Sequence, residues 1–217
     1  MKKSKTFQKI LNNFDLKNKK VLDIGCGNGN FLPNFGEGSL GITTTPEEVD
    51  FGKENNRNII LGNAELIDQL SIGNNFEVIW ANNLFEHILS PHNFLIKLKI
   101  ISTEDTILIL GVPVIPKIYS LLNVNKFRGA LASNHINFFT KKSLELTVKR
   151  AGWNIKEVKS FVFGIGFLDK IFTSIFSPHI YIVAKNNIDF KYPEKKLKEW
   201  ESDNYYQDLL RLIKCKK

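Results

Sequence analysis

Two constellations in the sequence have the makings of chemistry. The first is Gly25-Cys26-Gly27-Asn28-Gly29, three glycines at alternate positions directly after the apolar-rich run Val21-Leu22-Asp23-Ile24. Glycine lets the backbone turn sharply and lets a ligand approach with no Cβ in the way, so this loop is read as a binding loop. The second is the adjacent pair Glu86-His87, with His135 further along. A carboxylate beside imidazoles can act as a general base or offer ligand atoms to a metal ion. The chain has four His. His92 follows Pro91 at a helix start and His179 precedes the last strand, so both read as incidental.

The glycine spacing narrows the ligand class. A dinucleotide fingerprint is G-x-G-x-x-G, and its third glycine would fall at position 30, which is Asn30. No G-x-x-x-x-G-K-[ST] phosphate loop occurs either.

The elements that must position these groups follow from periodicity. Phe7, Ile10, Leu11 and Phe14 recur at helical spacing, predicting an amphipathic helix over 4–14. Strands are predicted at 21–24, 40–43, 58–61, 76–81 and 106–112, the last ended by Pro113. A short helix is expected near Phe31. A second begins at Thr45-Pro46-Glu47-Glu48, with Thr at the N-cap, Pro in the first turn and acids after it. Pro91 opens a helix carrying Phe94, Leu95, Leu98 and Ile101 on one face, and Thr140 caps another through Ala151, with Gly152 beyond its end. Strands at 155–163 and 180–184 flank an apolar, helix-like stretch, 164–177. Residues 194–213 read as a final amphipathic helix, with Leu197, Trp200, Leu209 and Ile213 on one side. Five strand–helix alternations followed by a pair of strands predict an α/β fold: a doubly wound, seven-stranded, mostly parallel sheet with an antiparallel edge strand. Such sheets bind ligands at the carboxyl ends of their strands, where the glycine loop lies. Residues 1–186 form one domain on this reading, with 113–134 as a substrate lid and 187–217 as a C-terminal helical extension.

With those elements in place, the sequence resembles the class I S-adenosylmethionine-dependent methyltransferases, small-molecule type, and their Rossmann-like fold. VLDIGCGNG is similar to their first motif, GITTTPEEV to the second-strand motif and NIILGNAELI to the segment that meets the adenine. FEVIWANNLFEHILSPHNFL is similar to the fourth strand and its helix, and HINFFTKKSLELTVKRAGW to the late helix. The resemblance implies S-adenosyl-L-methionine as cofactor. It implies that Asp23, Gly25, Cys26, Gly27 and Gly29 line the methionine part and that Asn82 approaches it. Thr43, with Thr44 beside it, stands where the family usually has an acid for the ribose hydroxyls. Asn63, beside Ala64, stands where an Asp commonly accepts from the adenine amine. A hydroxyl and a neutral carboxamide are weaker partners than carboxylates, so cofactor binding about ten-fold weaker is expected. Glu47 or Glu48 is the alternative at the ribose.

Methyl transfer to a hydroxyl also needs a proton acceptor or a metal that acidifies the hydroxyl. Glu86, His87 and His135 are the candidate catalytic residues. Their spacing resembles an E-x-x-E-H pattern with a distant His, found in ubiquinone-biosynthesis O-methyltransferases and in plant small-RNA 2′-O-methyltransferases, where it binds a divalent metal. Here the first Glu is Asn83, so Asn83, Glu86, His87 and His135 would be the ligands of any Mg²⁺ or Mn²⁺, short of one anion. Three readings stay open: Glu86 fixes a loop and the imidazoles pack, one imidazole is the base, or the set holds a metal. Acceptor specificity is expected from 113–134, where Lys117, Lys126 and Arg128 could meet an anionic substrate.

Composition bounds the rest. Net charge is +8, and residues 1–20 hold seven Lys against one acid. Two Cys, Cys26 and Cys215, make no disulfide framework. No apolar run is long enough to span a bilayer, and the charged N-terminus lacks the apolar core of a secretory signal, so a cytoplasmic protein is expected. The expectation is a methyltransferase acting on a small-molecule acceptor, by O-methylation of a polar metabolite or sugar hydroxyl. The alternatives are an RNA 2′-O-methyltransferase and a non-catalytic partner subunit of methyltransferase fold. No added nucleic-acid-binding module is seen. The stripe Phe167, Leu168, Ile171, Phe172, Ile175 packs, pairs two subunits as a homodimer or touches a membrane.

Overall fold

A computed structural model describes residues 5–73, 75–122, 134–161 and 166–193. The expected C-terminal helix, with Leu197, Trp200, Leu209 and Ile213, lies outside the described residues, as do Lys126 and Arg128 of the expected lid.

The elements run α1 (Lys5–Asn13), β1 (Val21–Ile24), β2 (Leu40–Thr43), α2 (Pro46–Glu54), β3 (Ile59–Leu61), β4 (Val78–Asn82), α3 (Pro91–Ile100), β5 (Ile107–Ile115), α4 (Lys117–Leu122), β6 (Phe139–Thr140), α5 (Lys141–Arg150), β7 (Trp153–Lys159), α6 (Gly166–Ile175) and β8 (His179–Asn186). The sheet order is β3-β2-β1-β4-β5-β8-β7, with the two-residue β6 beside β5. β1 through β5 pair in parallel, and β8 runs against both β5 and β7. The one reversed strand of that path therefore lies inside the β7 edge. Because β8 is reversed, its start, not its end, opens on the face where the other strands end.

Strands buried on both sides explain why β1 and β4 read as apolar runs and not as alternations. On one face α1 lays Phe7, Ile10 and Leu11 against Val21, Val78, Trp80, Ile109 and Val183. On the other, Phe94, Leu95 and Leu98 of α3 and Leu144 and Val148 of α5 pack on Leu22, Ile79, Leu108, Leu110 and Ile182. α3 is buried nearly all round, so its amphipathic stripe is only part of its contact. Lys97 and Lys99 satisfy themselves inside, Lys97 on Asp68 (3.0 Å) and Lys99 on the carbonyls of Gly152 (2.8 Å) and Asn187 (2.7 Å).

Two expectations change. Pro113 does not end the fifth strand; β5 continues to Ile115. Val114 donates to Pro178 on the β8 side, so position 113 faces the other way, past the end of β4 at Asn82, where no N–H is needed. After the glycine loop the chain makes only a single 3₁₀ turn, Leu32–Asn34, around Pro33. The Thr140 cap holds, as a reciprocal pair with Ser143, and Gly152 follows α5 with φ +82°.

Candidate functional site

The glycine loop turns as its sequence demands. Gly25, Gly27 and Gly29 all have positive φ, +74°, +53° and +66°, where a side chain is strained. The N–H groups of Gly25 and Cys26 donate to Ile42 (2.9 and 3.0 Å), tying the loop to β2. Cys26 points inward over Gly41, where a Cβ would collide with its sulfur. Burial pushes its thiol up to about 12, so it is a wedge and not a nucleophile.

Beside the loop opens a cleft of about 250 Å³, lined by Gly25, Gly27, Thr43, Thr44, Glu48, Ala64 and Leu84 among others. Thr43 donates its hydroxyl to Glu48 Oε2, which brings a carboxylate from α2 to the end of β2. Asn63 spends its oxygen on the N–H of Glu65 (2.9 Å), capping the turn that follows. Asp23, at the root of the loop, is 2% exposed and its Oδ2 has no partner among the described residues. Burial raises its carboxyl to about 8.

A second cavity, about 550 Å³, begins where β4 ends. Phe7, Phe31, Trp80, Phe172 and Tyr181 form its apolar wall, and Asn82, Asn83, Ser160, Ser177 and His179 its polar groups. Asn82 Oδ1 is buried without a partner among the described residues, and Gly111 leaves it room, since a Cβ there would strike it. Asn83 adopts the left-handed conformation (φ +54°), which Asn tolerates better than most residues. Its Oδ1 lies 2.9 Å from His179 Nε2. With the amide so placed, Nε2–H donates and Nδ1 carries the lone pair. Burial lowers the His179 imidazole to about 4.

Glu86, His87 and His135 do come together. Glu86 is 1% exposed, with His135 Nε2 at 3.8 Å and His87 Nε2 at 4.0 Å from its Oε1. Burial raises the Glu86 carboxyl, and its own N–H and the two imidazoles oppose this. One ligand atom from each of the three lies within 4.8 Å of the others, a spacing that could close on a divalent ion. The same residues also tie the chain: Glu86 O accepts from Ile136 (3.1 Å) and Asn137 (3.0 Å), and His87 Nδ1 pairs with Asn134 O (3.1 Å). Neither His87 nor His135 lines either cavity described above. Asn83, expected as a fourth ligand, is engaged with His179. His92 pairs with the Tyr192 hydroxyl (2.8 Å). His179, read from the sequence as incidental, lines the larger cavity because it starts the reversed strand β8.

The site fits S-adenosylmethionine on its own chemistry. A bare loop, a carboxylate at the end of β2, and the buried Asp23 Oδ2 and Asn82 Oδ1, unpartnered among the described residues, suit a molecule with a polar, positively charged amino acid part and a ribose.

Comparison with known proteins agrees. A family model described as a methyltransferase domain matches residues 3–158. The ubiquinone/menaquinone biosynthesis C-methyltransferase of Campylobacter jejuni is 25% identical over 194 residues, covering 75% of this chain and 82% of that one. Among solved structures, an S-adenosylmethionine-dependent methyltransferase from Archaeoglobus fulgidus superposes with a TM-score of 0.59 at 19% identity, over 84% of this chain and 95% of that one. A TehB-like methyltransferase from Corynebacterium glutamicum gives 0.57 at 16%, over 83% and 87%. With that family model matched over residues 3–158, from α1 into β7, the chain belongs to the class I S-adenosylmethionine-dependent methyltransferases.

Proposed function

We propose that the protein transfers a methyl group to a hydroxyl of a small molecule seated in the larger cavity, with His179 as the base. The observation that carries this reading is the end of β4. Asn82 and Asn83 line the acceptor cavity and Leu84 lines the glycine-loop cleft, so one short segment borders both.

S-adenosylmethionine supplies an electrophilic methyl group on a positively charged sulfur, and the protein's task is alignment, desolvation and removal of a proton. Asp23 and Asn82 hold the amino acid part, Glu48 and Thr43 the ribose, and Asn63–Ala64 the adenine side. Asn83 fixes the His179 ring through Nε2, leaving Nδ1 to take the acceptor's proton. Burial lowers the His179 imidazole, which keeps its lone pair free and makes it a weak base that needs the acceptor hydroxyl held close. The polar groups of the cavity suit the expected polar hydroxyl, and its aromatic wall adds a ring or apolar body beside that hydroxyl.

A second reading, methylation of a ring carbon, is favoured by the same aromatic wall and by the relative named as a C-methyltransferase. The test is incubation with methyl-labelled S-adenosylmethionine and a panel of phenols, polyols and sugars, with the product's methyl carbon read by NMR. An oxygen-bound methyl supports the first reading. A carbon-bound methyl replaces it with the second.

A further inference from the structure

We propose that the outer face of α6 docks on an anionic lipid bilayer and turns the acceptor cavity toward it, so that the acceptor is a membrane-resident amphiphile with a hydroxyl head. The docking face stands on the geometry of α6 and α1; the acceptor class rests also on the methyl-transfer reading.

α6 is held by polar bonds on its inner side. Asp169, 2% exposed, accepts from Ser160 Oγ (2.8 Å) and the Phe161 N–H (3.2 Å), and Thr173 Oγ1 accepts from the Ser160 N–H (2.8 Å). With that side fixed, the outer side presents Phe167 (71% exposed), Leu168, Ile171 and Ile175, and Phe176 follows in the next turn. An amphipathic helix buries such a face in the interfacial layer of a membrane, and anionic lipids add attraction to flanking cations.

Those cations are present. Lys170 is exposed on α6 itself. Phe172 and Ser177 line the cavity opposite Thr6 and Phe7 of α1, so the start of α1 shares its mouth. Lys5, next to Thr6 at the start of α1, is exposed there. Exposed lysines beside an exposed apolar face complement an anionic lipid surface. None of the described helices is long and apolar enough to cross a membrane, so the contact is with the surface.

The test is flotation of the full chain with vesicles of phosphatidylcholine alone or mixed with phosphatidylglycerol, alongside light scattering and S-adenosylhomocysteine titration. The variants are F167S/I171S and, should that pair fold poorly, K5E/K170E. Wild type is expected to float with the anionic vesicles, with partitioning falling about ten-fold in either variant while S-adenosylhomocysteine binding is kept. Failure to float with either vesicle overturns the proposal, as does flotation undiminished in both variants. A wild-type dimer that F167S/I171S splits, with no flotation, makes the face an interface between copies instead. Wild type that floats but binds no S-adenosylhomocysteine keeps the docking face and overturns the methyl-transfer reading alone.

Discussion

Asn83 Oδ1 and His179 Nε2 lie 2.9 Å apart, although the two residues are 96 positions apart in the chain. The pair joins the exit of β4 to the entry of β8 and fixes an imidazole in the wall of the larger cavity.

If His179 is the base, His179→Ala lowers kcat by about 10²–10⁴-fold and leaves S-adenosylhomocysteine affinity unchanged. Asn83→Ala frees the ring and costs about ten-fold. Steady-state kinetics beside calorimetry separate the two effects. Loss of cofactor affinity with unchanged kcat would move His179 out of the chemistry.

The same ring makes stability pH-dependent. Its folded-state pKa lies below the ordinary value, so its contribution is complete above about 6.5 and is lost as pH falls toward 4. Denaturant melts between those pH values are expected to lose less stability in His179→Gln than in wild type.

Much of the fold was legible. Apolar runs, Pro91 and the Thr140 cap placed strands and helices because local packing and capping signals coincide there. The end of β5 was not, since the tolerance of Pro113 depends on where the neighbouring strand stops. The glycine loop and the Glu86–His87–His135 meeting were also legible, from spacing and from the rule that strand ends share one face. His179 was not: a residue before a strand reads as remote until that strand is known to run backwards.

Burial raises the Asp23 carboxyl, so ligand binding should displace a proton from it. Its carboxyl titrates near 8 when buried alone, so its contribution to stability is present at low pH and lost as pH rises through that value. A ligand ammonium favours the carboxylate. Calorimetry of S-adenosylhomocysteine at neutral pH, in buffers of different ionisation enthalpy, should register release of about one proton, absent in Asp23→Asn.

The Glu86 cluster lines neither cavity, so chelation should leave turnover unchanged. Activity assayed with and without EDTA checks this. A loss restored by Mn²⁺ and absent in His135→Ala would give the cluster a metal and a part in the reaction.

On the proposed reading, Glu48 serves the cofactor in the glycine-loop cleft in place of the acid missing at Thr43. The most direct measurement is calorimetric titration of S-adenosylhomocysteine into wild type, Glu48→Gln and Glu48→Gln/Thr43→Asp. Binding is expected to be micromolar in wild type, about ten-fold weaker in Glu48→Gln and restored in the double variant. No binding by wild type would contradict that reading.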